Sequence, residues 1–347
     1  MIVRARTQHG RTPASHRRLA ISILAAAAFG TIACGGQGLA PSAESAANSR
    51  PASALPTAAA PSPTMPPALP GGRLVYIALV EAGGSLVTTN PDGTDTMPLL
   101  PVTNPPRWSP DGRHISVVTD NDQGLLFVGL VEPDGSNYVQ FDGPDPTLNL
   151  GCFAWSIDGS RLACEGWDDS DLKRNGIYTV RSSDGGDLVR VTTSPDGGHD
   201  IPTDYSPDGS QIVFTRVSPT DEADTTLMVV NVDGGGARAL SDQTLGPGRW
   251  SPDGTTILSD AGGEAEKLLL VPVDGGEIRP IEIDSDSLKS AFFGSWSPDG
   301  KWIIFSGRAT KSVDLYIVRV DGTGLRQLTD TPMGQWEEGA DWTAAAP

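Results

Sequence analysis

From residue 73 onwards, short apolar runs alternate with tight turns that are rich in Asp, Gly and Pro. Some runs are continuous, such as residues 212–214 and 302–305, whereas others alternate apolar with polar positions. Runs of this length, bounded by turn-forming residues, are typical of β-strands joined by hairpins and are too short for most helices. The pattern therefore predicts an all-β fold for residues 73–347.

One motif recurs along this region and divides it into repeats. It consists of an aromatic residue followed by Ser, Pro or Ile, Asp and Gly, and it begins at Trp108, Trp155, Tyr205, Trp250 and Trp296. The steps between these aromatic residues are 47, 50, 45 and 46 residues, and a second Asp-Gly turn follows in every repeat. Repeats of about 45 residues with four short strands each are typical of the blades of β-propellers.

The two ends of the array predict a further blade. Residues 73–100 contain three strand-like runs without the aromatic motif, whereas Gly339-Ala-Asp-Trp342 continues the repeat 46 residues after Trp296. A strand from the C-terminal end would complete the first blade and cover the edge that an open array would expose. We therefore predict a six-bladed β-propeller closed by a C-terminal strand. The alternative is an unclosed array that ends in a frayed tail.

These motifs resemble a known propeller repeat. The aromatic-Ser-Pro-Asp-Gly motif, the later Asp-Gly turn and the ending Arg326-Gln-Leu-Thr329 are similar to the TolB-type, WD-like repeat, over about residues 73–343. The resemblance implies a six-bladed propeller. It also implies a role in the bacterial cell envelope, where this family serves mostly as a protein-binding platform.

The N-terminal region has the composition of an export signal followed by a linker. Residues 1–18 contain five Arg and no acidic residue, and an apolar stretch then ends at Ile32-Ala-Cys34-Gly. This arrangement resembles a bacterial lipobox, which implies a signal peptide (residues 1–33), diacylation of Cys34 and anchoring to the extracytoplasmic face of the cell membrane. Ordinary secretion, with cleavage at a nearby small residue, is the alternative. Residues 34–72 are mainly Ala, Pro and Ser, so we expect a disordered stalk.

Composition excludes some classes of function. The chain has 43 acidic against 25 basic residues and a formal charge of −18, which argues against nucleic-acid binding because phosphate contacts require Lys and Arg. The 4 His and 3 Cys leave little for a metal centre built on imidazole or thiolate. The sequence also contains no Gly-x-Ser-x-Gly nucleophile motif. We expect no catalytic residue, no cofactor and a monomer.

Several conspicuous residues have a structural interpretation. We expect one aromatic side chain per blade to act as a wedge between neighbouring sheets, and these are Trp108, Trp155, Tyr205, Trp250, Trp296 and Trp342. The Asp of each motif lies in a turn, where a carboxylate can accept hydrogen bonds from backbone amides.

Cys152 and Cys164 are the two cysteines of the predicted propeller. If residues 157–159 form a three-residue loop with Ser156 opposite Ser160, Cys152 faces Cys164 on the adjacent strand. That register gives a hydrogen-bonded position, whose spacing suits a disulfide less well. A disulfide is favoured, a pair of buried thiols is the alternative, and the role is structural in both cases.

The binding surface is expected on the face opposite the Asp-Gly turns, because the irregular connections must lie there. Loops on a rigid scaffold commonly carry binding residues. This face is acidic, and the predicted binding residues on it are Asp168, Asp169, Asp171, His199, Asp200, Glu337 and Glu338. We predict a non-enzymatic platform that binds a protein or peptide of the cell envelope.

Two alternatives stay open for the acidic face. The carboxylates could form a solvated coat that only keeps the protein soluble. They could also belong to a carbohydrate-active lyase or hydrolase of propeller fold, with Ca²⁺ bound by carboxylates such as Asp168, Asp169 and Asp171.

Overall fold

The computed structural model describes residues 69–344, except 81–82, 103, 121–125, 142, 262–265 and 310. The predicted signal peptide, Cys34 and the linker up to residue 68 lie outside the described residues. Within them, 24 strands form six antiparallel four-stranded sheets. The helical segments are two single turns of 3-10 helix, Leu172–Arg174 and Pro195–Gly197. No helix in the described part of the chain is long and apolar enough for a membrane span.

Each sheet is one blade, with its strands in sequence order from the axis outwards, except that blade 1 takes its inner strand from the C-terminal end. Blades 1 to 3 consist of Trp336–Thr343 (β24), Arg73–Val80 (β1), Gly83–Thr89 (β2) and Met97–Pro101 (β3); Arg107–Trp108 (β4), Ile115–Asp120 (β5), Leu126–Val131 (β6) and Val139–Gln140 (β7); and Asn149–Trp155 (β8), Arg161–Trp167 (β9), Gly176–Arg181 (β10) and Val189–Arg190 (β11). Blades 4 to 6 consist of His199–Tyr205 (β12), Gln211–Val217 (β13), Thr225–Asn231 (β14) and Arg238–Thr244 (β15); Arg249–Trp250 (β16), Thr256–Asp260 (β17), Leu268–Pro272 (β18) and Arg279–Pro280 (β19); and Ser290–Trp296 (β20), Trp302–Arg308 (β21), Asp314–Arg319 (β22) and Arg326–Gln327 (β23). The predicted six-bladed propeller, closed by the C-terminal strand, is confirmed.

The motif residues close the hairpin between the first and second strands of a blade. In blade 2, Ser109 Oγ donates to Asp111 Oδ1 at 2.7 Å, and the same carboxylate oxygen accepts from the backbone amide of Arg113 at 3.1 Å. Gly112 takes a φ of +67°, which glycine adopts without strain. The Ser hydroxyl also accepts from the amide of His114 at 2.9 Å. The Ser and the Asp therefore satisfy the polar groups of the turn, and the same bonds recur in blades 3 to 6.

The turn is one residue longer than the sequence suggested. Ser156 pairs with Arg161, since its amide donates to the Arg161 carbonyl oxygen at 2.9 Å, and this leaves four residues in the loop. The prediction of a three-residue loop with Ser156 opposite Ser160 is therefore wrong. A β-bulge between Cys152 and Ala154 then shifts the register by one, so Cys152 still faces Cys164. The two sulfur atoms form a disulfide, and both residues are buried.

Among the described residues, the hydrophobic core consists of six clusters, and each cluster lies between two neighbouring blades. The repeated aromatic residues are at most 9% exposed and belong to these clusters, as the wedge interpretation requires. Some of them also hydrogen-bond across the gap. Trp155 Nε1 donates to Ser116 Oγ of blade 2 at 3.0 Å, and Trp296 Nε1 donates to the Arg249 carbonyl oxygen of blade 5 at 3.1 Å. One aromatic ring per blade thus fills each junction.

The junction between blades 6 and 1 depends on β24. Trp342 pairs with Leu74 in blade 1 and packs on Ile304 and Leu315 in the same cluster of blade 6. The backbone adds to the contact, because the amide of Glu337 donates to the Val313 carbonyl oxygen at 2.9 Å. The C-terminal strand therefore joins the last blade to the first.

Removing this strand should open the ring. We expect deletion of residues 336–347 to lower the melting temperature strongly and to cause self-association, because the edge of β1 becomes free to pair with another chain. The milder change Trp342→Ala should cost about 3–5 kcal/mol of unfolding free energy, as is typical for a buried aromatic residue. Calorimetry and light scattering measure the two effects. Met333→Ala is the control, since Met333 is 75% exposed, and a truncated protein that melts like the parent would disprove closure by β24.

Candidate functional site

The propeller has two chemically different faces. The turn face carries the Asp-Gly hairpins, including residues 109–112, 156–160, 206–209, 251–254 and 297–300, and the second turns near Asp134, Asp184, Asp233, Asp274 and Asp321. The loop-rich face carries the other connections, including residues 168–175, 191–198, 218–224 and 328–335. The first residues of the inner strands β12 and β24 also lie at this face, so it contains all seven predicted binding residues.

Three of these seven residues do not project to solvent. Asp168, Asp200 and Glu337 are 7%, 0% and 7% exposed. Asp168 accepts from Arg174 at 2.6 Å, and Asp200 forms a two-point ion pair with Arg216 at 2.7 and 2.9 Å. The expectation that these side chains are available to a partner is therefore wrong, because each carboxylate is used inside the protein.

Glu337 lies in the junction between blades 6 and 1. Burial is the main cause that raises the pKa of its carboxyl group to about 7, and the negative charge of Asp314 acts in the same direction. Hydrogen bonds with Thr329 and Tyr76 oppose this shift. Glu337 is thus part of the junction between blades 6 and 1 that β24 completes.

Of the remaining predicted residues, Asp169, Asp171 and His199 lie at an accessible acidic surface beside blades 3 and 4, whereas Glu338 lies in blade 1. Asp169 and Asp171 are exposed, and Asp171 Oδ1 also accepts from the backbone amide of Lys173 at 3.2 Å. Leu172 lies next to them and is 51% exposed. Glu222, which sequence reasoning did not select as a binding residue, is exposed in the neighbouring β13–β14 connection. Glu338 is half-buried in β24, and burial raises its pKa to about 7.

His199 connects blades 3 and 4 at this surface. Its Nδ1 atom lies 2.6 Å from Oε1 of Glu165, which is 3% exposed. The hydrogen bond with Glu165 raises the pKa of His199, and the charges of Asp169 and Glu222 add to this rise although burial opposes it. The imidazole is therefore held in an acidic environment that favours its protonated form.

A ring of charge around the axis was not predicted. In each inner strand, the residue directly before the repeated aromatic residue lies near the axis. Around the ring these residues are an Asp, an Arg and a small residue, and this order occurs twice. They are Asp341, Arg107 and Ala154 in blades 1 to 3, and Asp204, Arg249 and Ser295 in blades 4 to 6. Each Asp accepts a 2.9 Å hydrogen bond from the backbone amide of the next blade's aromatic residue, Trp108 or Trp250. Arg249 lies 3.6 Å from Asp341. Aligning the repeats would have revealed this pattern.

The axial charges change one another's pKa. Burial raises the pKa of Asp204 to about 6, although Arg249 opposes the rise. Burial also lowers the pKa of Arg107 to about 9, and the positive charge of Arg249 lowers it further. These groups are used to join the inner strands, so we assign them a structural role.

The geometry gives no support to the Ca²⁺ alternative. Asp168 is already bound by Arg174 and by Ser170, whose hydroxyl donates at 2.6 Å. No group of three or more His, Cys, Asp or Glu in the described part of the chain could hold a metal ion. Absence of a cofactor stays a prediction.

The repeats and the ring define the class: the described part of the chain is a six-bladed β-propeller, and its fold is similar to that of TolB. The sequence matches no protein-family model. It is 33% identical over 110 residues to Tol-Pal system protein TolB from Anaeromyxobacter dehalogenans (strain 2CP-C), a match that covers 30% of this chain and 24% of that protein. The aligned part is thus about a quarter of the relative.

Solved structures share the fold at low sequence identity. TolB from Acinetobacter baumannii superposes with a TM-score of 0.61 at 20% identity, over 78% of this chain and 66% of that chain. Hydrazine synthase from Kuenenia stuttgartiensis gives a TM-score of 0.57 at 14% identity, over 79% of this chain and 47% of that chain. The same architecture therefore occurs in TolB and in an enzyme, so the fold alone does not decide the function.

We expect the protein to be more stable at mildly acidic pH than at alkaline pH. Burial raises the pKa of Asp260 and of Glu337 to about 7, far above the range of an unfolded carboxyl group. The folded state therefore favours the protonated forms, so their stabilising contribution is complete below about pH 4.5 and is lost as the pH rises through about 7. The melting temperature should fall by at least about 3 °C between pH 5 and pH 8.

The variant Glu337→Gln isolates one of these groups. It should melt at a higher temperature than the parent at pH 8 and show a smaller change between pH 5 and pH 8. Glu277→Gln, at an exposed position, should leave the pH dependence unchanged. A parent protein that is more stable at pH 8 than at pH 5 would contradict this explanation.

Proposed function

We propose that this protein is a non-enzymatic, extracytoplasmic platform that binds a basic protein or peptide on the loop-rich face. The observation that carries the proposal is the accessible acidic surface of Asp169, Asp171 and Glu222 around His199. These residues come from the loops of two adjacent blades, which the inter-blade core holds in a fixed relation. Leu172 supplies an exposed apolar contact at the same place.

The similarity to TolB supports a binding role in the cell envelope. The relative's name assigns it to the Tol-Pal system, and the repeat that both chains share is used mostly as a protein-binding platform. The proposal transfers only the class of function, binding of an envelope protein or peptide, because the match covers a small part of that relative.

The rival function, a carbohydrate-active lyase or hydrolase, has one observation in its favour. Asp260 and Glu266 are neighbouring carboxyl groups whose pKa values are raised, mainly by burial, and general acids often have such values. However, Asp260 Oδ1 accepts from the backbone amide of Phe293 at 3.1 Å. That contact joins blade 5 to blade 6, so we favour a structural role for Asp260.

Anchoring through Cys34 completes the proposed platform. We expect the mature protein to incorporate labelled palmitate and to fractionate with membranes, because two acyl chains give stable attachment where one is marginal. Cys34→Ser should abolish both properties. The control is Ser42→Ala in the linker, which should change neither. Unchanged labelling in Cys34→Ser would show that the anchor lies elsewhere or does not exist.

Binding through the acidic surface should weaken with salt, because exposed charges act over a Debye length of about 8 Å at physiological ionic strength. We expect the triple variant D169N/D171N/E222Q to retain fewer envelope proteins in a pull-down than the parent, with the difference largest at low salt. The matched control D274N/E277Q/D286N removes the same charge from exposed positions in blade 5 and in its connection to blade 6. If both triple variants retain the same partners as the parent, the acidic surface is only a solubility coat.

A further inference from the structure

An open groove lies on the turn face, between the outer parts of blades 5 and 6. Its volume is about 570 Å³, which is within the usual range of small-molecule sites, about 300–1,000 Å³. Blade 5 contributes β19 with the residues that follow it, and blade 6 contributes residues of both of its Asp-Gly turns. The groove is thus on the opposite face from the proposed binding surface.

The groove combines an apolar floor with positively charged walls. Leu270, Ile281 and Val320 provide apolar surface. Three cationic side chains, Arg279, Lys301 and Arg319, line the same space. This combination differs from the rest of a protein whose formal charge is −18.

The repeat itself shows that these cations are not required by the fold. Each junction has three equivalent positions: the first residue of the outer strand, the residue after the Gly of the next blade's first turn, and the residue whose backbone carbonyl oxygen closes that blade's second turn. The four preceding junctions carry at most one cation at these positions, which are Met97, Arg113 and Glu132; Val139, Ser160 and Arg181; Val189, Ser210 and Asn231; and Arg238, Thr255 and Pro272. The junction of blades 5 and 6 carries three.

The charges of these groups are available to a ligand. The side chain of Arg279 is exposed and has no hydrogen bond or ion pair with any described residue, and the Lys301 ammonium group has only the Asp299 carboxylate at 3.9 Å. Arg319 lies over the ring of Trp302 at 5.1 Å, which orients its guanidinium group. Two acids, Asp321 and Glu282, also line the groove, and Asp321 Oδ1 accepts from the amide and the hydroxyl of Thr323 at 3.0 and 2.6 Å. The three cations outnumber these two acids, so the lining keeps a net positive charge.

The two blades also approach closely at the end of the groove. The Gly322 backbone has a φ of +84°, and a Cβ atom there would lie 2.0 Å from the carbonyl oxygen of Glu282. The contact recurs at another junction, where a Cβ on Gly234 would lie 2.5 Å from the Val191 carbonyl oxygen. The groove therefore ends at a close backbone contact between Gly322 and Glu282, of a kind that also occurs at another junction of the ring.

We propose that this groove binds a small amphiphilic anion, with its oxyanion head held by Arg279, Lys301 and Arg319 and its apolar body on Leu270, Ile281 and Val320. Guanidinium groups match the geometry of phosphate and carboxylate oxygens, and a Lys ammonium adds a compact charge. The apolar floor adds affinity in proportion to the surface that the ligand covers.

The test uses octyl phosphate below its micellar concentration, with inorganic phosphate and octanol as the two halves of the ligand. Calorimetric titration of the intact protein should show saturable binding of octyl phosphate, and each half should bind at least about tenfold more weakly, since it lacks either the charged or the apolar contacts. In R279Q/K301Q the affinity for octyl phosphate should fall about tenfold. These two side chains are exposed, so their removal should leave the melting temperature unchanged.

The matched control R113Q/K311Q removes two exposed cations away from the groove and should bind like the parent. An equal loss in both double variants would overturn the proposal, because the effect would then be one of net charge. Absence of saturable binding in the parent, or equal affinity for octanol and octyl phosphate, would overturn it too. The variant D169N/D171N/E222Q should bind octyl phosphate normally, so this test is independent of the function proposed for the other face.

Discussion

Every sheet of this protein buries its apolar residues only against the neighbouring sheets, and the rest of the structure depends on that constraint. Each of the six core clusters contains side chains from two blades. A single four-stranded blade would leave apolar surface in water, so the blades stabilise one another around a ring. The ring has no free end because β24 adds to β1 and packs on blade 6. Loops on both faces are consequently attached to one mutually supported scaffold.

Some acidic residues of this scaffold are exposed and others have internal partners, and their positions in the sequence do not show which is which. The turn carboxylates accept hydrogen bonds from nearby amides and hydroxyls, which lowers the pKa of groups such as Asp158 and Asp208 to about 2. Others, such as Asp200, are paired with Arg inside the blade. An acidic loop in the sequence therefore does not reliably predict an acidic surface, because a carboxylate that pairs with an internal group is not available to bind a ligand.

The fold could be predicted from the sequence because the aromatic residues recur at a nearly constant step and each junction needs one of them. The position of Trp342 was sufficient to predict the closing strand. Aligning the repeats shows the order of the axial residues but not the contact between Asp341 and Arg249, since these two residues meet only after blades distant in the sequence surround one axis. The hairpin register around Cys152 also needed the structure, because a bulge compensates for a longer turn. The buried state of Asp168 depends on Arg174, whose side chain is positioned by the loop and not by the repeat.

A repeat protein provides its own reference for separating structural from functional residues. The motif Ser and Asp make the same hydrogen bonds in five turns, so the turn requires them and they carry no information about a ligand. A residue type that one junction carries and the equivalent junctions lack has no such explanation. By this comparison the His199–Glu165 pair on the loop-rich face and the three cations between blades 5 and 6 are departures from what the ring requires. The two departures lie on opposite faces and have opposite charge, so a basic partner on one face and a small anion on the other could be bound at the same time without competing for contacts.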